Sequence, residues 1–235
     1  MDVRAYAYTN RGGRPHNEDS LRASAEQGIF VLADGLGGHG HGEVASALAV
    51  DTLFAGMARG SDLDEDGLLE LFQDANEAIL RQQAQPGQEE MRTTAVALKL
   101  TDGAAVWAHI GDSRLYRFSK GELAGVTADH SVTYRKFLGG EISYMDVYHD
   151  DDRSRLLRVL GKEPCRPEAG QAAVSPGDAF LLCSDGFWEF VYNEEIQADL
   201  CRARTPEEWA EGMLLRHIRR TPPGSDNFSL ITVFV

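Results

Sequence analysis

The stretch Ile29-Phe-Val-Leu-Ala-Asp-Gly-Leu-Gly-Gly-His39 decides how this chain folds. Residues 29–33 are continuously apolar, which predicts a strand buried on both faces. The run stops at Asp34-Gly35, where a carboxylate is delivered to a sheet edge and glycine lets the backbone come close to whatever sits there. The same form recurs in Phe180-Leu-Leu-Cys-Ser-Asp-Gly186, which places Asp185. Two further aspartates stand at comparable junctions, Asp112 in Ala108-His-Ile-Gly-Asp-Ser-Arg114 and Asp226 in Gly224-Ser-Asp-Asn-Phe228. Each alone reads equally as an Asx turn or a turn between strands. Together they suggest convergence on one point. Unscreened carboxylates repel, so a shared site needs cations. Hard oxygen ligands select Mg²⁺ or Mn²⁺, and such multinuclear sites commonly act on phosphate esters.

The surrounding pattern is mixed α and β. A weakly alternating strand is expected over 3–9. Val44, Ala45, Leu48, Ala49, Thr52 and Leu53 share one helical face after the glycines. A second helix is expected over 66–83, ending before Pro86-Gly87. Strands at 93–100 and 104–110 flank Thr101-Asp-Gly103, a hairpin turn. Further strands are expected at 114–118, 172–174 and 179–183. A helix over 206–217 starts at Pro206 with Thr205 as N-cap, and an alternating strand closes the chain at 228–235. The polar segment 131–161 reads as an insertion or flap over the site, and residues 1–235 as a single domain.

Composition narrows the function classes. With 43% hydrophobic and 26% charged residues, the 235-residue chain has the balance of a soluble globular protein. No apolar run approaches the roughly 20 residues of a membrane span. The first residues lack the basic start and apolar core of a secretion signal, so a cytoplasmic location is expected. Three cysteines without a CxxC pair argue against a disulfide framework or thiolate zinc, and Cys183 reads as a core residue. The formal charge of −14 disfavours nucleic acid. It leaves a phosphorylated substrate open, because bound divalent cations reverse the local sign.

Arg14 and the run Asn17-Glu-Asp19 form an N-terminal element. Arginine's planar fork matches two phosphoryl oxygens, and Glu18 and Asp19 can contact metal-bound waters. A surface salt-bridge cluster is the plain alternative.

Seven segments occur in order: Arg14-Pro-His-Asn-Glu-Asp19, Ala33-Asp-Gly-Leu-Gly-Gly-His39, Met91-Arg-Thr-Thr-Ala-Val-Ala97, His109-Ile-Gly-Asp-Ser-Arg114, Leu123 through Thr127-Ala-Asp-His-Ser131, Ser184-Asp-Gly186 and Asp226-Asn227. In series they resemble the metal-dependent protein phosphatases of the 2C family in their bacterial form, across nearly the whole chain. The resemblance implies an α+β fold, an α-β-β-α sandwich of two packed antiparallel sheets with helices on both outer faces. It implies hydrolysis of phosphoserine and phosphothreonine on proteins by a metal-bridging hydroxide, with Mn²⁺ or Mg²⁺ as two tightly bound ions and a third, weaker one. By position, Asp34 bridges the pair, the Gly35 carbonyl binds one ion, and Asp185 and Asp226 complete the set. Asp112 is the ligand of the third ion, shared with Asp185, and Ser154 touches that site. Arg14 matches the phosphate-binding arginine, and Asn227 stands beside the ligands. Phosphorylated proteins and a cognate Ser/Thr kinase are the implied partners, and a monomer is expected.

Departures from the family pattern matter. Leu36 stands where animal relatives resemble a histidine proposed as general acid. His39 either protonates the leaving oxygen or caps the following helix. Arg92 occupies a place where relatives often resemble glycine, and it either clashes with the usual turn or adds a cation near the substrate. Asn10 stands where many relatives resemble aspartate. The run Asp146-Val-Tyr-His-Asp-Asp-Asp-Arg153 is similar to phosphatases that oppose a kinase controlling type VI secretion. Two other readings remain at this point: a catalytically silent phosphoprotein-binding module on the same fold, and a metal phosphoesterase acting on a small molecule.

Overall fold

The computed structural model of the chain describes residues 2–36, 41–60 and 63–235. In chain order the elements are β1 (Arg4–Asn10), β2 (Asp19–Ser24), β3 (Ile29–Leu36), α1 (Gly42–Arg59), α2 (Glu65–Gln82), β4 (Arg92–Thr93), β5 (Ala95–Thr101), β6 (Ala104–Ile110), β7 (Arg114–Ser119), β8 (Glu122–Val126), α3 (Val132–Leu138), a 3₁₀ turn (Tyr144–Tyr148), β9 (Glu168–Ala173), β10 (Ala179–Cys183), α4 (Asp185–Trp188), α5 (Asn193–Leu200), α6 (Pro206–Arg220) and β11 (Phe228–Phe234). They make two antiparallel sheets, one ordered β1-β11-β10-β7-β8 and the other β2-β3-β5-β6-β9, with β4 paired to the end of β3.

The apolar run that opens β3 shows why the sheets stack. Successive side chains of a strand point to opposite faces. Phe30 and Leu32 enter the core between the sheets with Val96, Leu98, Phe180, Leu182 and Ile231. Ile29, Val31 and Ala33 face the other way, into a core closed by α1 and α2. On the far side, Leu181, Cys183 and Leu230 pack beneath α5 and α6 around Trp209 and Met213. A strand sandwiched on both faces has no solvent side, so its sequence does not alternate. This is the four-layer sandwich implied by the sequence resemblance.

Several local expectations meet their physical cause. Thr205 caps α6, its hydroxyl accepting from the Glu208 N–H, with Pro206 at the first helical position. The hairpin at Thr101-Asp-Gly103 joins β5 to β6, and Gly103 supplies the positive φ of 87°. Two differences stand out. Asp34 lies inside β3 rather than beyond its end, because the strand changes partner, pairing β5 up to Leu32 and β4 from Gly35. Segment 131–161 is not simply polar. It holds α3 and the 3₁₀ turn, and it buries Val147 and Tyr148 in the α5–α6 core while Phe137 and Tyr144 pack against that core.

Where this segment leaves the first sheet, Arg114 makes a two-pronged bond to Asp129, at 2.8 Å from Nε and 2.6 Å from Nη2. Both side chains are 1% exposed. The guanidinium carbon also lies 3.5 Å from the centre of the Trp188 ring. Removing one partner of such a pair leaves a buried charge uncompensated. Arg114→Ala should therefore lower unfolding stability by about 3–5 kcal/mol in urea titrations, and an Arg114→Met, Asp129→Leu double substitution should recover most of it. A loss below about 1 kcal/mol for the single variant, the range of an exposed pair, would show that the bond does not anchor the segment.

Candidate active site

All four aspartates singled out in the sequence line one cleft of about 770 Å³, together with Arg14, Gly35, Glu18, Asn227 and Ser154. His39 lies outside the described residues. The helix-cap position before α1 is taken by His41 at φ 75°, with no side-chain capping bond.

Each aspartate arrives on a different element. Asp34 comes from β3, Asp112 from the β6–β7 turn, Asp185 from the first residue of α4, and Asp226 from the loop entering β11. Asp34 is held through its backbone: its N–H donates to Thr94 Oγ1 at 3.1 Å, and its carbonyl accepts from Thr93 Oγ1 at 2.7 Å and the Thr94 N–H at 2.9 Å. The Asp112 carbonyl accepts from the Trp188 indole at 2.9 Å, tying this turn to α4. Gly35 and Gly186 are required by close approach. A Cβ on Gly35 would lie 2.3 Å from the Gly42 carbonyl oxygen, and one on Gly186 would lie 2.0 Å from that of Asn227.

Asn227 is the clamp for the N-terminal element. Its Oδ1 accepts from the Glu18 N–H at 2.7 Å, and its Nδ2 donates to the carbonyls of Arg11 and His16. Arg14 is thereby placed at the mouth, 2.8 Å from Asp226 with both side chains about half exposed. Asn10, the residue noted for its departure from aspartate, turns away from the cluster and accepts from the Gly12 N–H at 2.9 Å.

Electrostatically the cluster is incomplete without cations. Burial, and then the charges of Asp19, Asp185 and Asp112, push the Asp34 carboxyl well above the usual carboxylate range. Burial and Asp185 do the same to Asp112. Asp185 is likewise raised, chiefly by burial and then by the neighbouring charge of Asp226. Asp19 is raised to about 7 by burial. Its Oδ2 accepts from Ser184 and Ser229, while its Oδ1 is buried with no partner. Oxygen-only donors, desolvated and pressed together, fit hard divalent cations replacing the missing positive charge.

Sequence reasoning missed parts of this arrangement. Ser184 and Ser229, which grip Asp19, carry no separate motif. Glu189 is raised to about 7 by burial and then by Asp185, and it accepts from Arg153 at 2.9 Å. Its position one turn after Asp185 was the available signal. A second group of possible ligands, His109, His130 and Glu168, lies at the β6–β9 edge. There the Arg158 guanidinium already serves as the cation, 2.6 Å from Glu168 Oε1 and 3.2 Å from His130 Nε2. Among the described residues no helix is long and apolar enough to cross a membrane.

Comparison with known proteins agrees with this geometry. The family model "Protein phosphatase 2C" matches residues 9–214. The serine/threonine phosphatase stp of Listeria monocytogenes is 32% identical over 236 residues, covering 96% of this chain and 93% of that protein. PstP of Mycobacterium tuberculosis is 33% identical over 240 residues, or 99% of this chain, which spans 45% of that longer protein. The crystal structure of the PstP catalytic domain in complex with two manganese ions superimposes with a TM-score of 0.87 at 31% identity, covering 99% of this chain and 97% of that one. PppA, described as a key regulatory component of T6SS in Pseudomonas aeruginosa, superimposes with a TM-score of 0.85 at 28% identity, covering 100% and 98%. Fold, cleft and full-length similarity agree, and the chain belongs to the protein phosphatase 2C family.

Proposed function

We propose that this chain is a metal-dependent protein phosphatase that hydrolyses phosphoserine and phosphothreonine on proteins. The observation that carries the reading is the convergence of Asp34, Asp112, Asp185 and Asp226, from four different elements, on one cleft that Arg14 also lines. Asp34, the Gly35 carbonyl, Asp185 and Asp226 would hold a pair of ions, and Asp112 with Asp185 would hold a third, with Ser154 beside it. Glu18, Asp19 and Asn227 stand behind them. When bound, Mn²⁺ or Mg²⁺ supplies Lewis acidity that activates water and offsets phosphoryl charge.

The chain's own groups do the rest. Arg14 is half exposed, and its pair with Asp226 is of the kind worth at most about 1 kcal/mol, so it can exchange that partner for phosphoryl oxygens. Its fork orients the ester and stabilises charge on the equatorial oxygens during in-line displacement. The Asn227 clamp keeps Arg14 in reach. A covalent route through cysteine is disfavoured, because Cys165 and Cys183 are buried with their thiols pushed up in pKa by burial, and the exposed Cys201 does not line the cleft. A silent binding module would have no use for four mutually repelling carboxyls gathered in one cleft. Segment 131–161 acts as a flap on one domain spanning the chain. The monomeric enzyme works in the cytoplasm and opposes a bacterial Ser/Thr kinase, with type VI secretion control as the setting suggested by the PppA likeness.

Steady-state hydrolysis of a phosphothreonine peptide should require Mn²⁺ or Mg²⁺ and stop with excess EDTA. Asp185→Asn should lower kcat by about 10²-fold or more, and Arg14→Ala by about 10-fold or more with a raised KM. Metal-independent turnover, or Asp185→Asn activity near wild type, would sink this assignment.

Metal binding should also show in stability. A carboxyl raised in the folded state contributes stability that is complete below its unfolded value and lost as pH rises through the folded one. For Asp19 that window runs from 3.8 to about 7. The metal-free protein therefore loses this contribution on approaching neutrality, and cations compete with protons for the same cluster. Calorimetry should show a larger Tm gain on adding Mn²⁺ at about pH 7.5 than at about pH 5.5. Equal gains at both would mean that the raised carboxyls are not the ligands.

A further inference from the structure

We infer that Arg92 and Lys162 form a second anion-binding subsite in the cleft, so that preferred substrate segments carry an acidic side chain or a second phosphoryl group beside the one hydrolysed. The inference rests on the phosphatase reading and specifies its substrate class.

Both residues line the cleft that holds the aspartates. The chain carries a formal charge of −14 and four aspartates line the cleft, so these two cations stand out against the local sign of charge. Lys162 is exposed and makes no ion pair among the described residues. Arg92 meets Glu90 at 2.8 Å, but Glu90 is 77% exposed, and such a surface pair is readily exchanged. The Arg92 Nε is buried without an acceptor, but the side chain as a whole is 36% exposed, so an arriving anion would be met by its terminal nitrogens. A planar fork suits a carboxylate or a phosphoryl group, and the adjacent ammonium adds a point charge.

The backbone that carries the two cations is fixed. Arg92 pairs with Leu36, two residues past Asp34 on β3. Thr93 and Leu160 exchange both backbone hydrogen bonds, at 3.2 and 2.8 Å. Gln83 Nε2, at the C-cap of α2, donates to the carbonyls of Met91 and Gly161, each at 2.8 Å, and these residues immediately precede Arg92 and Lys162. Asn76 Oδ1 accepts the Gly161 N–H at 2.8 Å. Even Gly161 is constrained, since a Cβ there would lie 2.8 Å from the Met91 carbonyl oxygen. One side-chain amide thus sets the spacing of both cations relative to Asp34. Little backbone ordering remains to be done on binding, which favours recognition. The arginine where relatives often resemble glycine does not break the local turn. It adds a cation to a strand already paired.

The test measures kcat/KM with Mn²⁺ for phosphothreonine peptides matched except at the neighbouring positions, which carry alanine, glutamate, phosphoserine or lysine. Wild type should favour the glutamate and phosphoserine peptides over alanine by roughly three- to tenfold, the range of one or two exposed charge contacts. The glutamate and phosphoserine arms tell a carboxylate preference from a second phosphate. The preference should shrink in about 1 M salt, where screening reaches roughly 3 Å. Arg92→Gln, Lys162→Gln should bring the ratios close to one. Arg92→Glu, Lys162→Glu should invert them in favour of lysine, a gain that a misfolded protein cannot show. Turnover of all peptides at equal rates, unchanged by these substitutions, would overturn the subsite and leave the phosphatase reading intact. No turnover of any peptide by folded, Mn²⁺-loaded protein would overturn both.

Discussion

The carboxylate of Asp19 joins the two sheets at the point where the site is built. It sits at the start of β2, in register opposite Asp34 on β3. Its Oδ2 accepts from Ser184 at the end of β10 and from Ser229 in β11, at 2.9 and 2.6 Å. Ser184 is the cap residue immediately before Asp185, and its hydroxyl also accepts the Ser229 N–H at 3.0 Å. One buried acid therefore fixes the distance between the strand that carries Asp34 and the end of β10, which leads into Asp185. Apolar packing alone tolerates sliding of one sheet over another, because its attraction is non-directional. Short hydrogen bonds to a buried acid do not.

That constraint makes the cost of the acidic cluster tolerable. Burying carboxyls close together is unfavourable whichever protonation state they adopt, since ionised groups repel and protonated ones need acceptors. The fold spreads the burden over backbone groups placed before any cation arrives. Thr93 and Thr94 satisfy the Asp34 peptide, Trp188 satisfies the Asp112 carbonyl, and Asn227 satisfies the loop around Glu18. Among the described residues, the one ion pair made by the four aspartates is that of Asp226 with the half-exposed Arg14. A site organised in this way holds its donor atoms in place while leaving them dependent on cations for neutralisation.

Much of this was legible in the chain. Five consecutive apolar residues before Asp34 told of a doubly covered strand, and the repeat of that form at Asp185 told of a shared destination. Thr205-Pro206 marked a helix start by chemistry that needs no tertiary partner. The strand Asp19–Ser24 was not legible, because Ser20, Arg22 and Ser24 break any apolar run and its pairing with β3 comes from register rather than pattern. The roles of Ser184 and Ser229 were equally hidden, since a serine that bonds across sheets looks like any other serine. Segment 131–161 misled for a related reason. Its charges are contiguous and conspicuous, whereas its anchors, Phe137, Tyr144, Val147 and Tyr148, are dispersed and become a cluster only when folded.

Those anchors hold the segment beside the cleft. The segment is fastened at both ends to groups that also touch the aspartates. Arg114 follows Asp112 by two residues and grips Asp129 at the entry to the segment. Arg153, next to Ser154, grips Glu189, one turn of chain beyond Asp185. Between them Lys136 bonds Asp150 at 3.0 Å and Asp152 at 2.8 Å, folding the acidic run back on α3. The first bond is buried and desolvated, and the second is partly exposed at its arginine, so they differ in how much disturbance they withstand. A displacement of the Arg153 end would move Ser154 at the cleft rim while Arg114 still held the turn that presents Asp112. The segment is thus held by a fully buried pair at Asp129 and by a more exposed one at Arg153, beside Ser154 in the cleft lining.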